Sequence, residues 1–179
     1  LPCVGLHAVL YCSSWTVVSM ATFCVLSSYM VRTVRSMCMM VCPMLIRPIN
    51  TLSWNVRGLN CSARRATVSA TIAASSCQLV CLQETKLASV DKFVAAFLGG
   101  NRLKNFAQRP ATGTRGGILL LWEDNVLDVS DISAWTYCLS GMVRIRAIDM
   151  CYKLTSIYGP TDYACKDDFF TELAAHKPL

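Results

Sequence analysis

The sequence predicts an α+β fold, and three observations support this prediction. At least five short stretches have the apolar patterns of β-strands, and two or three stretches between them have helical spacing. Several strand candidates follow one another with only a turn between them, which favours hairpins. Because a parallel doubly wound sheet needs a helix between successive strands, the pattern favours a layered α+β architecture.

The first strand and the first helix of this pattern lie between residues 50 and 75. Residues 50–56 alternate apolar and polar side chains, as a half-buried strand does. A polar turn, Arg57–Asn60, interrupts the alternation. Residues 63–75 then have the weak amphipathic spacing of a surface helix.

Two buried strands and a second helix are predicted for the middle of the chain. Residues 79–82 form a continuous apolar run, which predicts a buried strand. Helical spacing over residues 90–98 ends at Gly99-Gly100. The apolar face of that helix consists of Val90, Phe93, Val94, Phe97 and Leu98. Residues 101–113 are polar and turn-rich, and residues 116–122 predict a strand buried on both faces.

The last third of the chain predicts three further strands and a helix. Residues 126–129 are a candidate partner for the preceding strand. Val143, Ile145 and Ala147 alternate with Arg144 and Arg146, which gives that strand one basic face. Such a face is more typical of a solvated strand than of a DNA contact. A strand over 152–158 and a helix over 167–175 complete the pattern.

Residues 1–49 differ in composition from the domain predicted over residues 50–179. No Asp or Glu precedes Glu84, and the first 50 residues hold five of the 11 cysteines and six of the eight methionines. Residues 8–31 carry no charge over 24 positions, a length that spans a bilayer. Seven of these residues are Ser or Thr and only two are Leu, which argues against a membrane helix. Two interpretations compete with a membrane anchor, a disordered apolar extension and the translation of a degraded reading frame, and the second is preferred.

Charge and cysteine content narrow the function only a little. From residue 51 onward there are 14 Lys or Arg and 11 Asp or Glu, a mildly basic balance that suits a polyanion but does not require one. The 11 cysteines include no CxxC pair, and the CxxxC pairs at 38/42 and 77/81 have no histidines nearby. Neither a zinc site nor a secreted disulfide framework is favoured, so a reducing interior is expected.

Three polar side chains stand where apolar strands end, and they are the candidate site. Asn55, Glu84 and Tyr158 each follow or close an apolar run. If these strands are neighbours, the three side chains meet at one rim of a sheet. A carboxylate there suits Mg²⁺, and an amide and a phenol suit a phosphate oxygen or a water. Each residue also has a simpler explanation: Asn55 bonding its own backbone in a turn, Glu84 pairing with Lys86, and Tyr158 capping the core.

Four motifs in order give the chain a family resemblance. They are Ser53–Asn60 (SWNVRGLN), Cys81–Lys86 (CLQETK), Arg115–Trp122 (RGGILLLW) and Ile157–Pro160 (IYGP). Together they resemble the signatures of the endonuclease/exonuclease/phosphatase (DNase I-like) superfamily. The sequences NVRGLN and YGP are similar to motifs in the endonuclease domains of plant LINE-type non-LTR retrotransposons. The resemblance covers about residues 50 to 175, and it implies the N-terminal half of a four-layer αββα sandwich.

The resemblance also implies roles for the candidate residues. Asn55 would donate or accept hydrogen bonds in the active site, Glu84 would bind Mg²⁺, and Tyr158 would hydrogen-bond the scissile phosphate. The reaction would be hydrolysis of a DNA phosphodiester bond, with DNA as the partner and no small-molecule cofactor. A nuclear or cytoplasmic location follows, with membrane attachment through residues 8–31 as the alternative.

Part of the family pattern is missing from these 179 residues. The family continues with a Gly-Asp-Phe-Asn-like strand end and a Ser-Asp-His-like segment, and neither is present. The two histidines, His7 and His176, match no family role. The resemblance therefore implies an incomplete metal site without a general base, in a polypeptide that is unstable and inactive when made alone. Two alternatives stay open: a fragment of a cellular phosphodiesterase or phosphatase of the same superfamily, and a non-enzymatic membrane-anchored protein.

Overall fold

The computed structural model describes residues 7–11, 16–20, 49–113, 115–160 and 162–175. Nine strands of this part of the chain form two sheets. For 7–11 and 16–20 only the backbone is described. The five-stranded sheet has the order β2 (Thr16–Met20), β3 (Ile49–Asn55), β4 (Leu79–Gln83), β6 (Ile118–Trp122) and β5 (Asn105–Arg109). Its strands β3 and β4 are parallel, and its other pairs are antiparallel.

The second sheet is built from consecutive hairpins. Its order is β1 (His7–Tyr11), β9 (Met150–Ile157), β8 (Cys138–Ile145) and β7 (Leu127–Ala134). Strand β1 runs parallel to β9, and the β7–β8 and β8–β9 pairs are antiparallel. The helices are α1 (Ser62–Ser75), α2 (Lys92–Gly99) and α3 (Lys166–Ala175), with a 3₁₀ turn over Tyr163–Cys165.

The alternation of side chains along the strands creates two apolar cores. Leu79, Cys81 and Leu120 face the second sheet and pack against Leu139, Val143 and Leu154. On the other face of the five-stranded sheet, Leu82 and Leu119 pack with Val68 of α1 and Leu98 of α2. The layers are therefore, in order, helices α1 and α2, the five-stranded sheet and the four-stranded sheet. The predicted α+β class is confirmed, and so is the burial of strand 116–122 on both faces.

A buried amide connects the two sheets. Gln83, at the end of β4, is fully buried, and its Nε2 donates to Ser53 Oγ of β3 at 3.2 Å and to Ser156 Oγ of β9 at 3.3 Å. Both serines are also buried. A buried amide or hydroxyl is unfavourable unless it is hydrogen-bonded. The contact therefore fixes how β9 lies against β3 and β4.

Two elements differ from the sequence prediction. Strand β5 lies inside residues 101–113, which were predicted to be polar and turn-rich, with Pro110 and Gly113; within β5 itself only Phe106 and Ala107 are apolar. The predicted apolar face of α2 is confirmed for Val90 and Leu98, which are buried, and for Val94, which packs against the core. It was wrong for Phe93 and Phe97, which are 85% and 54% exposed, whereas Ala95 and Gly99 are buried. A Cβ on Gly99 would lie 2.8 Å from Leu103 Cβ, so the chain can turn this closely after α2 only with glycine at this position.

The N-terminal segment contributes two edge strands. Strand β1 pairs with β9 and strand β2 pairs with β3, although disorder or a membrane-like helix was expected over residues 8–31. Residues 16–20 (TVVSM) include three β-branched residues, which favour a strand. The other residues of the segment lie outside the described ranges. A domain boundary at residue 49 stays a prediction.

In the part of the chain that the structure describes, no helix is both long enough and apolar enough to cross a membrane.

A stability test follows from the buried amide. Replacing Gln83 by Ala leaves Ser53 and Ser156 without this donor, so we expect the free energy of unfolding to fall by about 2–3 kcal/mol in a urea titration. Gln108→Ala is the matched control, because Gln108 is partly exposed and water can replace its bonds to the Val90 backbone. Equal losses for the two variants would contradict the role given to Gln83.

The six described cysteines form no disulfide and differ in environment. Cys61 is exposed, and the backbone N–H of Arg64, with that of Ala63, lowers the pKa of its thiol. Burial raises the pKa of the Cys138 thiol to about 12, helped by Glu172. A lower pKa gives more thiolate at neutral pH, and the thiolate is the reactive form.

We therefore expect iodoacetamide at pH 7.5 to label Cys61 first among these six residues, with Cys138 unlabelled until the protein unfolds. Peptide mass spectrometry after short exposures measures the order. Cys61→Ser is the control for assigning the fast site. Labelling of Cys138 as rapid as that of Cys61 in the folded protein would contradict the structure.

Candidate active site

One end of the sandwich brings the candidate residues together. Asn55 pairs with Gln83, Gln83 with Ile118, and Ile118 with Arg109, so four strands of one sheet share this end. In the second sheet, β9 reaches the same end just before Tyr158. We define the site end as residues 55–59, 84–87, 109–113, 115–117, 135–137 and 158–160. The sequence prediction placed the three candidates on one sheet, whereas Tyr158 follows a strand of the other.

Glu84 lies in a strained turn directly after β4. Glu84 and Lys86 both have φ of 57°, a left-handed conformation that costs a non-glycine residue about 1–3 kcal/mol. Thr85 N donates to Gly117 O at 3.1 Å, Lys86 N donates to Gly116 O at 2.9 Å, and Thr85 O accepts from Leu59 N at 2.7 Å. Hydrogen bonds from both neighbouring segments thus hold the turn. Backbone strain that is held in this way is typical of functional sites.

The Glu84 side chain makes an ion pair. Its carboxylate is 17% exposed, and Oε1 lies 3.2 Å from Lys86 Nζ. The pairing with Lys86 that the sequence left open is therefore present. It does not conflict with a role in binding, because a partly exposed pair of this kind is weak and a stronger ligand can replace it.

Asn55 and Tyr158 are each fixed by a backbone hydrogen bond. Asn55 Oδ1 accepts from Arg57 N at 3.1 Å, which is the local turn that the sequence offered as the simpler explanation. Tyr158 N donates to Tyr137 O at 2.9 Å. The Tyr158 ring lies over Gly116 and packs against the core between the sheets. Both side chains are half-buried, so each remains accessible to a ligand.

The donor set for a metal is small in the described part of the chain. Glu84 is the one carboxylate of the site end, and no group of three His, Cys, Asp or Glu residues lies close enough to hold an ion among the residues described. Mg²⁺ uses one or two protein carboxylates and fills its other positions with waters and substrate phosphates. Glu84 therefore supplies one ligand, and these residues alone do not amount to a metal centre. His176 lies outside the described residues.

Charge is distributed unevenly between the two ends. The residues of the site end include four cations and one carboxylate, Glu84; the cations are Arg57, Lys86, Arg109 and Arg115. A second carboxylate, that of Glu172 in α3, bonds the backbone of Thr136 and Tyr137. The connections at the opposite end, residues 76–78, 100–104, 123–126 and 146–149, carry three cationic and three acidic side chains. A cluster of cations around half-buried polar groups suits a polyanionic ligand.

The strand predicted to carry a basic face over residues 143–147 ends at Ile145, and Arg146 and Ala147 lie in the following turn. Both Arg144 and Arg146 are solvated and paired. Arg144 lies 2.6 Å from Asp128 and 3.5 Å from Asp149, and Arg146 lies 4.0 Å from Asp128. All of these side chains are exposed and lie toward the opposite end of the sheet. These arginines are thus remote from Glu84 and Tyr158.

Sequence reasoning missed Arg109 and the importance of Gly117. Arg109 ends β5, the strand that was not predicted, so no periodicity marked it. Gly117 has φ of 88°, and a Cβ on it would collide with Thr85 Oγ1 and lie 3.3 Å from Lys86 N. The Gly116-Gly117 pair was the available signal, because adjacent glycines before a buried strand indicate a close approach of backbones.

A pair of glycine substitutions separates backbone strain from steric contact. Gly113 also has a left-handed φ, of 60°, but nothing lies within 4 Å of a Cβ added there. We expect Gly113→Ala to cost about 1 kcal/mol of unfolding free energy and Gly117→Ala about 2 kcal/mol more, because Gly117→Ala also displaces Thr85. Urea unfolding measures both, and equal costs would show that the turn at Glu84 is not packed as described.

Comparison with known proteins agrees with this geometry. The family model "Endonuclease/Exonuclease/phosphatase family" matches residues 52–161, which include Asn55, Glu84 and Tyr158. No curated protein matches the sequence. The crystal structure of the AP endonuclease LMAP from Leishmania major is similar in fold, with a TM-score of 0.51 and 16% identity. The match covers 67% of this chain and 43% of that one, so the chain spans less than half of that enzyme's length. Because the family model covers more than half of the chain, the protein belongs to the endonuclease/exonuclease/phosphatase family.

Proposed function

We propose that this chain carries the front half of a Mg²⁺-dependent DNA endonuclease domain of the LINE retrotransposon type, and that these 179 residues alone bind DNA without cleaving it. The observation that carries the proposal is the basic site end around Asn55, Glu84 and Tyr158. Family membership supports phosphodiester chemistry, and the excess of cations favours a polyanion such as DNA over an uncharged or singly charged substrate.

Each candidate residue has a proposed role in this reaction. Glu84 would provide an oxygen ligand to the divalent cation, which would neutralise charge on the phosphate and on the leaving oxygen. Tyr158 would donate a hydrogen bond to a phosphate oxygen. Asn55 would donate through its amide nitrogen, since its carbonyl oxygen already accepts from Arg57 N. The remaining ligands and the general base belong, by the family resemblance, to segments that the sequence does not contain.

DNA binding is the first test of the proposal. The purified chain should bind a fluorescein-labelled 20-base-pair duplex in EDTA, with an affinity that falls steeply as NaCl is raised, because binding releases counterions from phosphates. Competition with a nucleotide or an inositol phosphate distinguishes the alternative function as a cellular phosphodiesterase or phosphatase. Tighter binding of either small competitor than of the duplex would favour that alternative.

A plasmid-nicking assay tests the proposed lack of cleavage. With Mg²⁺, we expect the chain to convert supercoiled plasmid no faster than buffer does, and we expect Glu84→Ala to make no difference, because the remaining catalytic groups are absent. Agarose gels quantify the nicked form over several hours. Cleavage by the unmodified chain that Glu84→Ala abolishes would disprove the proposed inactivity while supporting the role of Glu84.

A further inference from the structure

Arg109 joins the two sheets at the site end. It is the last residue of β5, and its Nε donates to the carbonyl oxygen of Trp135 at 3.1 Å. Trp135 lies in the turn between β7 and β8, which belong to the other sheet. The guanidinium is therefore anchored through Nε to a turn of the other sheet, and its Nη1 lies over Gly116.

The turn that anchors Arg109 also positions Tyr158. Glu172 of α3 accepts hydrogen bonds from Thr136 N at 3.0 Å and from Tyr137 N at 2.8 Å. Within the turn, Trp135 N donates to Cys138 O at 2.9 Å, and Tyr137 O accepts from Tyr158 N. The hydrogen bonds of this short turn thus position both Arg109 and Tyr158.

Gly116 brings the guanidinium and the phenol ring close together. A Cβ on Gly116 would lie 2.8 Å from Arg109 Nη1 and 3.6 Å from Tyr158 Cδ1. Because glycine has no side chain, both groups can lie over the same point of the backbone. That point is next to the strained turn, since Gly116 O accepts from Lys86 N at 2.9 Å.

The charge of Arg109 is not neutralised by a neighbouring carboxylate. Among the residues that the structure describes, no Asp or Glu oxygen lies within ion-pair distance of it, whereas Arg102 pairs with Glu123 and Arg144 with Asp128. Partial burial lowers the pKa of the guanidinium, and nearby Glu172 partly offsets this effect, but an arginine stays charged at any ordinary pH. Glu172 is near but outside ion-pair distance, so the half-buried guanidinium has no direct salt bridge, and a bound anion would supply one.

We propose that Arg109 binds a phosphate of the substrate backbone through its Nη groups, beside Tyr158, while the Trp135 carbonyl holds Nε. A guanidinium presents its donors in a planar fork that matches a phosphate. This inference rests on the proposed function, because it names a substrate contact of that same site.

The test uses the full 179-residue chain and the labelled 20-base-pair duplex in EDTA, with fluorescence anisotropy measured at several NaCl concentrations. We expect Arg109→Ala to weaken binding roughly tenfold and to reduce the slope of log affinity against log salt by about 1, since one phosphate contact is lost. Arg102→Ala is the matched control, an arginine at the opposite end of the same sheet, and should leave affinity and slope unchanged.

Arg109→Lys distinguishes loss of the phosphate contact from loss of folding, because lysine keeps the positive charge but lacks the planar fork of donors. Weaker binding with an unchanged salt slope supports the inference even if Arg109→Ala lowers the unfolding midpoint. The inference would be overturned if Arg109→Ala kept the affinity and the salt slope of the unmodified chain while Lys86→Ala weakened binding. In that case the proposed function would still stand. If the unmodified chain does not bind the duplex at all, the proposed function fails and the inference fails with it.

Discussion

The fold depends on one buried polar contact, the amide of Gln83 between the hydroxyls of Ser53 and Ser156. Apolar side chains alone allow two sheets to slide against each other, because contact between hydrocarbons has no direction. An amide in the same layer adds direction, because sliding of the sheets would separate Gln83 Nε2 from the Ser53 and Ser156 hydroxyls. This contact lies one residue before Glu84. The alignment of the sheets and the position of the carboxylate therefore have a common cause.

Most of the architecture could be predicted from the sequence, because burial produces a periodic pattern of apolar residues. Strands β3, β4 and β6 were predicted from alternation or from continuous apolar runs, and Asn55, Glu84 and Tyr158 were selected because polar residues ended such runs. Strand β5 carries no such pattern, since Phe106 is half-buried and Ala107 is its one buried residue. Arg109 was missed with it. The division of the strands between two sheets depends on contacts between distant residues, such as Gln83 with Ser156, and no local pattern encodes those.

The strained turn at Glu84 shows how a marginal local conformation is maintained. A left-handed glutamate and a left-handed lysine two residues apart are unfavourable in an isolated peptide. The backbone at Gly116-Gly117 and at Leu59 supplies hydrogen bonds from two sides, and Gly117 leaves room for Thr85. The carboxylate is thus presented by surrounding segments and not by its own conformational preference. Its orientation consequently depends on residues that have no chemical role themselves.

The ranges that define the site end carry more cations than carboxylates, whereas the connections at the opposite end carry equal numbers of each. A polyanion approaching from any direction experiences a torque before contact, and it meets the positive end more often than chance encounters would allow. Ions in solution weaken this guidance over a Debye length of about 8 Å at physiological salt. Under the proposed function, the approach of DNA would be oriented electrostatically before any side chain touches a phosphate, and salt would weaken this orientation.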